Sequence, residues 1–541
     1  MTSEVVLEPF TREERATLAP HFTNVDGPVF ALTNLPEVVK GALFARYSRS
    51  GKSLRRLFLD EFAGGSSQAG VASAAGAVGV ERAEDLYQRV FLEYGDDSVA
   101  QLGGAHLAVE QASQLLAKVL EWGRLAAYLE QSTRYVPYDD RPGGRWRYHV
   151  PQELAEHPDL AQQYEAAVDR AFETYSRWLG PMQEFFRRLF PKEPEDSDFV
   201  YRMTIRAKAC DTLRGLLPAA TRSNVGIFAS AQAYEQLILR MRGDPLEEVR
   251  AFADLILAEL RKVIPAFLTR VDVPDRGGAW TDFLQDAKAA TAVVGRELLK
   301  GIEPESRPEV ILTDFDPDGE IKVVAAALYA ASDLPDDQLL DVARKMTAEE
   351  RARVLAAYVG DRRNRRHKPG RGFERTSYRF DVTCDYGAFR DLQRHRLLTI
   401  EWQPLGTALG FELPPEVEAA DALDDWNAVM QEAEALHTAL VEAGFGPAAQ
   451  YAVPMAYRIR FYMDLNAREA MHLIELRTTP QGHPVYRRVC QRMHELIAEG
   501  AGHRAIAEAM RFADHSRVEL ERLEAERRTE AKRQALGSSG P

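Results

Sequence analysis

The chain carries two copies of one sequence pattern, and this duplication limits the folds that it can adopt. The segment VFALTNLPEVVKGALFARYS begins at Val29, and VILTDFDPDGEIKVVAAALYAAS begins at Val310. Each predicts a short apolar strand, a turn with a proline and an apolar helix. A second repeated segment covers residues 218–240 and residues 454–477. Each of these two stretches starts at a proline and ends on Leu-Arg. A period of roughly 240–280 residues predicts a duplicated domain and not a solenoid.

The polar, proline-containing stretch KGIEPESRPE predicts the boundary between the two copies. A loop and a long amphipathic pattern inside the first copy indicate an insertion, and charged helical spacing marks the end of the chain. The predicted parts are a first domain over 1–300 with an insertion near 141–200, a second domain over 301–516, and a helical or disordered tail over 517–541.

Periodicity predicts an α+β fold that is rich in helix. The stretches ALHTALVEAG and HPVYRRVCQRMHELIAEG have apolar residues at helical spacing, whereas RTSYRFDVT alternates as a strand does. We therefore expect two tandem domains in which helices pack on mixed or antiparallel sheets. Residues 64–80 are small and rich in glycine, and they predict a mobile loop without phosphate-loop spacing.

Composition excludes several classes of protein. The 541 residues carry a formal charge of −14, so general nucleic-acid binding, which depends on neutralising phosphates, is not expected. Three distant cysteines, Cys210, Cys384 and Cys490, exclude a disulfide framework and a paired-cysteine metal site, and they favour a reducing, cytoplasmic compartment. No apolar run reaches the roughly 18 residues of a membrane span. We predict no metal site.

The triplet Arg394-His395-Arg396 stands out in this acidic chain. It lies in RDLQRHRLLTIEW among apolar residues, where charged groups need partners. Arginine suits phosphates and planar oxyanions, so an anion site is one interpretation. The other interpretation is that the triplet forms ion pairs with nearby carboxylates, and the candidates are Glu374, Asp391 and Glu401.

The Arg-His-Arg triplet, with Phe373-Glu374 about twenty residues before it, resembles the flavin-dependent thymidylate synthases, also called thymidylate synthase complementing proteins. In that family a Ser-x-Arg-Tyr segment follows the triplet, but here Pro404 and Gly406 take the serine and arginine positions. Asp391 stands where many members have a glutamine, and a carboxylate there is expected to repel an anionic ligand or change the ligand preference.

The first copy shows the opposite pattern. It has Trp-Gly-Arg at 122–124 in place of the triplet, yet it matches the following segment at Glu130, Ser132, Arg134 and Tyr135. It also has the family's arginine four residues before a Leu-Pro proline, Arg214, where the second copy has Gln450.

The helix that follows the Leu-Pro proline matches the family's motif in the second copy only. The family's Asn-x-Arg and Leu-Arg positions are occupied there by Asn466, Arg468 and Arg477, with His472 between them. The first copy has Ala229, Ala231 and Glu235 at the corresponding places.

These complementary losses predict one type of site built from both copies. The resemblance implies an active site shared between subunits of a homotetramer, which a homodimer of fused chains would reproduce. It implies bound FAD, with dUMP, methylenetetrahydrofolate and NADPH as the other partners. The implied cofactor-binding residues are Arg394, His395, Arg396, Asn466, Arg468 and His472; the substrate-binding residues are Glu130, Ser132, Arg134, Arg214 and Arg477; the catalytic residues are Arg394, Arg477 and Ser132.

Two other functions stay open at this point. The chain is alternatively a diverged homologue that binds flavin or nucleotide without making thymidylate. A third possibility is a structural or RNA-binding homologue that uses the basic run DRRNRRHKPGR, residues 361–371. The same run is also typical of a solvated connector, or of a segment that binds the glutamates of folate or the phosphate of a nicotinamide cofactor.

Overall fold

The computed structural model describes residues 8–47, 50–63, 101–194 and 196–516. The chain forms two compact units that do not follow the sequence order. The first unit comprises Met1–Glu110, Gly123–Glu130 and Asn224–Ile302, and the second comprises Gln111–Trp122, Gln131–Ser223 and Glu303–Pro541. The predicted loop at 64–80 and the predicted tail at 517–541 lie outside the described residues. The division of the chain near residue 300 stays a prediction.

The strands form two sheets. In chain order they are β1 Gly104–Ser113, β2 Ala126–Glu130, β3 Arg222–Ser230, β4 Val310–Phe315, β5 Ser377–Asp385, β6 Leu398–Trp402 and β7 Arg458–Asn466. One sheet has the order β1-β3-β2, and the other has the order β4-β5-β7-β6. Strand β2 pairs antiparallel with β3, with Ala126 opposite Ala229. In the second sheet β5 pairs antiparallel with both β4 and β7, with Tyr378 opposite Leu465, and β6 pairs antiparallel with β7.

Helices make up most of the remaining described structure. In the first unit they are α1 Arg12–Leu18, α2 Glu37–Tyr47, α3 Leu54–Leu57, α7 Ala231–Arg242, α8 Glu247–Leu260 and α9 Ala279–Leu298. In the second unit they are α4 Gln114–Leu120, α5 Pro158–Leu189, α6 Asp198–Leu213, α10 Gly319–Tyr329, α11 Asp336–Lys345, α12 Ala348–Val359, α13 Tyr386–Gln393, α14 Pro415–Ala419, α15 Leu423–Glu442, α16 Gly446–Ala449, α17 Ala467–Arg477, α18 Pro484–Glu495 and α19 Arg504–Ala509. The predicted helix-rich α+β fold is confirmed.

The core of the second unit lies under strand β5. Its alternate side chains Tyr378, Phe380, Val382 and Cys384 are all buried, which is the period-2 pattern of a strand with one face on a core. Residues 379 and 381, which point the other way, are partly exposed. The alternation in RTSYRFDVT therefore predicted this strand correctly, within two residues at each end.

The two Leu-Pro segments, one from each sequence copy, meet in the second unit. Pro218 and Pro454 face each other in an antiparallel bridge. The N–H of Ala219 donates to the carbonyl of Val453 at 2.8 Å, and the N–H of Met455 donates to Leu217 at 2.9 Å. Equivalent segments of the two copies thus pair with each other within the second unit.

The predicted strand at the start of the first copy does not form. Around Val29 the described chain has only an isolated bridge between Phe22 and Leu32, whereas the matching segment at 310 forms β4. The loop satisfies its backbone locally instead. The Asn24 side chain accepts the N–H groups of Asp26 and Gly27, and the Thr23 hydroxyl accepts that of Ala31.

Within the described ranges, the structure has no helix that is both long enough and apolar enough to cross a membrane.

Candidate functional site

The Arg-His-Arg triplet follows directly on helix α13, where Arg394 is the C-cap residue. Asp391, one turn earlier and 6% exposed, is the carboxylate that organises the surrounding arginines. Arg394 donates to its side chain, and Arg477 at the end of α17 approaches the same oxygen from 3.3 Å. Arg477 also donates to the Asp391 backbone carbonyl, which fixes its guanidinium against the end of α13.

A second buried carboxylate, Asp211 on α6, holds the arginines of the first copy. Arg134 forms a bidentate pair with it, with Nε 2.9 Å from Oδ1 and Nη2 3.1 Å from Oδ2. The Nε atom of Arg214 lies 3.4 Å from the same Oδ1. The Tyr486 hydroxyl accepts from Arg134 at 3.1 Å, and its ring lies 5.4 Å from the guanidinium of Arg477. Tyr486 therefore lies between an arginine of each copy.

We call Arg134, Arg214, Arg394 and Arg477, together with Asp211 and Asp391, the arginine cluster. Burial would raise the pKa of Asp391, but Arg394, Arg477 and the other two arginines hold it well below its usual range. The pKa of Asp211 is likewise low, because Arg134, His483 and Arg214 outweigh its burial. With both carboxylates ionised, four guanidinium groups and two carboxylates leave a formal charge of +2.

His395 is buried between Glu469 and Arg477. Its Nδ1 lies 3.1 Å from a Glu469 oxygen, and its Nε2 accepts from Arg477 Nε at 3.0 Å. This geometry assigns the ring proton to Nδ1. Burial and the charge of Arg477 hold the pKa of His395 well below its usual range, so the ring is neutral. Burial also raises the pKa of Glu469 to about 7, which leaves it partly protonated near neutral pH.

His395, Glu469 and His472 each place one potential metal-ligand atom within 4.8 Å of the others. Their surroundings disfavour a cation. Burial, followed by the charges of Lys368 and Arg365, lowers the pKa of His472 to about 4, and Arg477 and Arg396 act in the same direction. A site with this many neighbouring cations suits an anion better than a metal ion.

The other predicted residues have structural contacts of their own. Asn466 is the N-cap of α17 and accepts from the Glu469 N–H at 2.9 Å. Arg468 donates to the Pro369 carbonyl at 3.0 Å and pairs with Glu374 at 3.3 Å. Ser132 accepts from the Arg134 N–H at 3.2 Å within a turn. Arg396 is exposed, and Glu130 ends β2 in the first unit.

The basic run at 361–371 divides into buried and exposed parts. Arg362 is 2% exposed, forms a bidentate pair with Glu475 and donates to the Ala509 carbonyl. The cations of Arg365 and Lys368 instead act on His472, beside the predicted cofactor-binding residues. The run is thus both an anchored connector and a contributor of positive charge to this surface.

Sequence reasoning missed Asp211, Tyr486 and Glu469. None belongs to a motif, and each lies on a helix where its residue type is ordinary. The signal available was indirect: three or more arginines predicted to lie close together require carboxylates nearby if they are buried. The ion-pair alternative is present in the structure for Arg394, which pairs with Asp391. Glu374 instead pairs with Arg371 and Arg468, which lie outside the triplet.

Comparison with known proteins identifies the family. The model of the thymidylate synthase complementing protein family, Thy1, matches residues 53–266 and 310–501. A UPF0159 protein of Chlamydia muridarum is 39% identical over 526 residues, covering 96% of this chain and 99% of the relative. A flavin-dependent thymidylate synthase of Mycobacterium avium is 26% identical over 188 residues, covering 35% of this chain and 69% of the relative.

A solved structure also matches, the UMP/dUMP methylase PolB from Streptomyces cacaoi bound with 5-Br dUMP. It is 20% identical, with a TM-score of 0.30, and the match covers 39% of this chain and 100% of that chain. The family model matches two successive segments that together exceed half of the sequence. The chain therefore belongs to the thymidylate synthase complementing protein family and contains the family's region twice.

Proposed function

We propose that the chain is a flavin-dependent thymidylate synthase that methylates dUMP to dTMP. Family membership and the Mycobacterium avium relative support this reaction class. The observation that carries the proposal is the arginine cluster, because the copies contribute complementary halves to it. Its partners would be dUMP, methylenetetrahydrofolate and NADPH, in the cytoplasm.

The charge of the arginine cluster suits a nucleoside monophosphate. A phosphate monoester carries about −1.5 to −2 charges at pH 7, which balances the formal +2 of the cluster. Arg394 has the most accessible side chain of the four, at 30% exposed, whereas Arg214 is 4% exposed. An incoming phosphate would reach Arg394 and Arg477 first. In this proposal Ser132, Arg134, Arg214 and Arg477 bind dUMP, and Arg394, Arg477 and Ser132 orient it for reaction.

The cationic surface beside His395 and His472 fits the pyrophosphate of FAD. Arg396 and Lys368 lower the pKa of His472, which shows that their charges reach this surface. The ring of His395 is neutral, so it carries no charge of its own on this surface. We propose that Arg394, His395, Arg396, Asn466, Arg468 and His472 hold the cofactor. FAD would supply the electrons that the methyl transfer consumes.

The visible absorption spectrum tests the cofactor assignment. Purified protein is titrated with FAD, and bound flavin is followed by its absorption near roughly 450 nm and by loss of flavin fluorescence. Arg396→Ala should weaken FAD binding at least about tenfold, because it removes a cation that faces the pyrophosphate. Arg353→Ala on α12, an exposed arginine in another region, is the matched control and should bind FAD normally. Wild-type protein that ignores FAD would overturn the flavoenzyme proposal.

One observation favours a second candidate function. Asp391 and Asp211 already pair with all four arginines, so an anionic ligand must compete with or rearrange these contacts. A diverged homologue that binds flavin or nucleotide without methyl transfer would tolerate this arrangement. Equilibrium binding of dUMP with no release of tritium from [5-³H]dUMP would support that function over thymidylate synthesis.

A further inference from the structure

Helix α9, Ala279–Leu298, is long, yet none of its side chains is buried. It belongs to the first unit, where one side of it contacts α7. On that side Gln285 Nε2 donates to the Arg242 carbonyl at 3.2 Å. Burial raises the pKa of Asp244, and the charge of Lys288 on α9 opposes this shift. Gln285 and Lys288 therefore mark the side of the helix that faces its own unit.

Another side of α9 carries exposed apolar residues. They recur at steps of three and four residues, so they lie on one face of the helix. Phe283 is 65% exposed, Val294 is 51% exposed and Leu298 is 70% exposed. Monomeric proteins rarely leave a contiguous apolar surface of this kind in water, and such a surface marks an interaction site. We call this set the α9 stripe, and its residues are Trp280, Phe283, Ala287, Ala290, Val294 and Leu298.

The pattern of the α9 stripe is that of a helix that packs along a second helix. Steps of three and four residues are those of the a and d positions in a coiled-coil seam. The middle of the stripe is small, with Ala287 and Ala290, whereas Trp280 and Leu298 at its ends are large. Small central residues let two helix axes approach closely, and large residues fill the space where crossed helices diverge. Two α9 stripes therefore complement each other in shape.

The two ends of α9 carry opposite charges. Asp282 and Asp286 lie near its start, whereas Arg296 lies in its last turn and Lys300 follows directly after it. Glu297 leaves this second end with one net positive charge. Among the residues that the structure describes, none of these five side chains has an ion-pair partner. The charges are thus available to a partner that lies along the helix.

We propose that the α9 stripes of two chains pack against each other antiparallel, about a two-fold axis near Ala290. This orientation places the acidic start of each helix beside the basic end of the other, whereas a parallel orientation would bring like charges together. It also opposes the two helix dipoles. A two-fold interface uses the same surface on both chains, as the shape and charge of α9 allow. The partner of this surface is a second copy of the chain.

The contact is not part of the family's region. Helix α9 lies between the two matched segments, 53–266 and 310–501, in the stretch that joins the two copies. The homodimer that the family resemblance implies concerns the duplicated domains, and it does not specify any contact of α9. The inference is also independent of the proposed reaction, because it requires neither FAD nor dUMP.

Cysteine cross-linking of the full chain tests the contact. Ala290→Cys places a thiol in the α9 stripe, whereas Ala289→Cys is the matched control about 100° away around the helix. The native cysteines, Cys210, Cys384 and Cys490, are buried, so a short bismaleimide should react at the introduced thiol. At micromolar protein, Ala290→Cys should form a covalent product of twice the chain's mass in at least about tenfold higher yield than Ala289→Cys, because apposed thiols have a high effective concentration.

A charge in the α9 stripe should weaken the dimer. Val294→Glu brings two like charges together in the contact and should raise the dimer dissociation constant at least about tenfold in analytical ultracentrifugation. Ala289→Glu is the matched control and should leave that constant unchanged. Both positions are exposed and glutamate favours helix, so both variants should keep the far-ultraviolet circular dichroism of the wild type.

Three results would overturn the proposal. They are a wild-type chain that stays monomeric at high concentration, equal cross-linking of the two cysteine variants, and a dissociation constant that Val294→Glu leaves unchanged. If another segment of the same chain covered the α9 stripe, Ala290→Cys would give no covalent dimer, which counts against the proposal as well. A failure of the thymidylate synthase proposal would change none of these measurements, so the two proposals are tested separately.

Discussion

At the scale of single residues, Asp391 decides what the arginine cluster can bind. The sequence predicted that a carboxylate here would repel an anionic ligand or change the ligand preference. The structure surrounds it with guanidinium groups, which depress its pKa and still outnumber the carboxylates. Its negative charge is therefore neutralised by its neighbours, and its first effect is to hold Arg394 and Arg477 in place.

Asp391→Asn should lower the free energy of unfolding at pH 7 by about 2–4 kcal/mol, because two partly buried arginines lose their carboxylate. The folded pKa of Asp391 is depressed. Its contribution is therefore present above the unfolded pKa of about 4 and is lost as pH falls below that value. Urea denaturation at pH 7 and pH 3 should show a smaller difference between wild type and variant at pH 3. A difference that is unchanged by pH would contradict an ionic origin.

Glu469 should impose the opposite pH dependence. Burial raises its folded pKa to about 7, above the unfolded value of about 4.3. The stability linked to its protonated form is present below the unfolded pKa and is lost as pH rises through 7. Glu469→Gln, which keeps an acceptor for His395, should remove this loss. The thermal midpoint of wild type relative to Glu469→Gln should fall between pH 6 and pH 8.5, and parallel midpoints would argue against the raised pKa.

At the scale of elements, substitutions of Asn466 at the start of helix α17 test whether this residue is a helix cap, a ligand contact or both. Asn466→Ala removes the side-chain acceptor at the N-cap and should cost about 1 kcal/mol of stability. Asn466→Asp keeps the cap but adds a negative charge, so it should retain stability and weaken FAD binding. Chemical denaturation and FAD titration of both variants separate the roles. Normal FAD binding by Asn466→Asp would remove this residue from the cofactor site.

Local sequence patterns predicted the elements where burial follows a simple period. The alternation around Tyr378 specified β5, and helical spacing specified α15 and α18. The strand near Val29 failed because the same pattern is satisfied by a loop whose side chains bond their own backbone. A short apolar run does not reveal whether a neighbouring strand is available to pair with it.

At the scale of the whole molecule, complementary loss between the copies predicted which arginines would lie together. Arg134 and Arg214 of the first copy and Arg394 and Arg477 of the second do share one cluster in the second unit. Of the two carboxylates that bind them, Asp391 was among the predicted ion-pair partners of the triplet. Asp211 could not be predicted, because it carries no motif and its role depends on tertiary contacts. The assignment of these residues to dUMP and FAD stays a proposal.

The proposed oligomer belongs to this scale as well. Two fused copies supply two of the four domains that the family's assembly implies, so we expect a homodimer. Multi-angle light scattering at micromolar concentration should give twice the mass of the chain. A single-chain mass that persists at high concentration would contradict this expectation.

The central claim is that both copies complete one thymidylate synthase site. Tritium release from [5-³H]dUMP, with FAD, NADPH and methylenetetrahydrofolate present, tests it most directly. Wild type and Arg353→Ala should release tritium, whereas Arg134→Ala and Arg394→Ala, one from each copy, should each lose at least about a hundredfold in rate. Release that survives either of these two substitutions would contradict a shared site, and a folded, FAD-bound wild type that releases no tritium would contradict the enzyme itself.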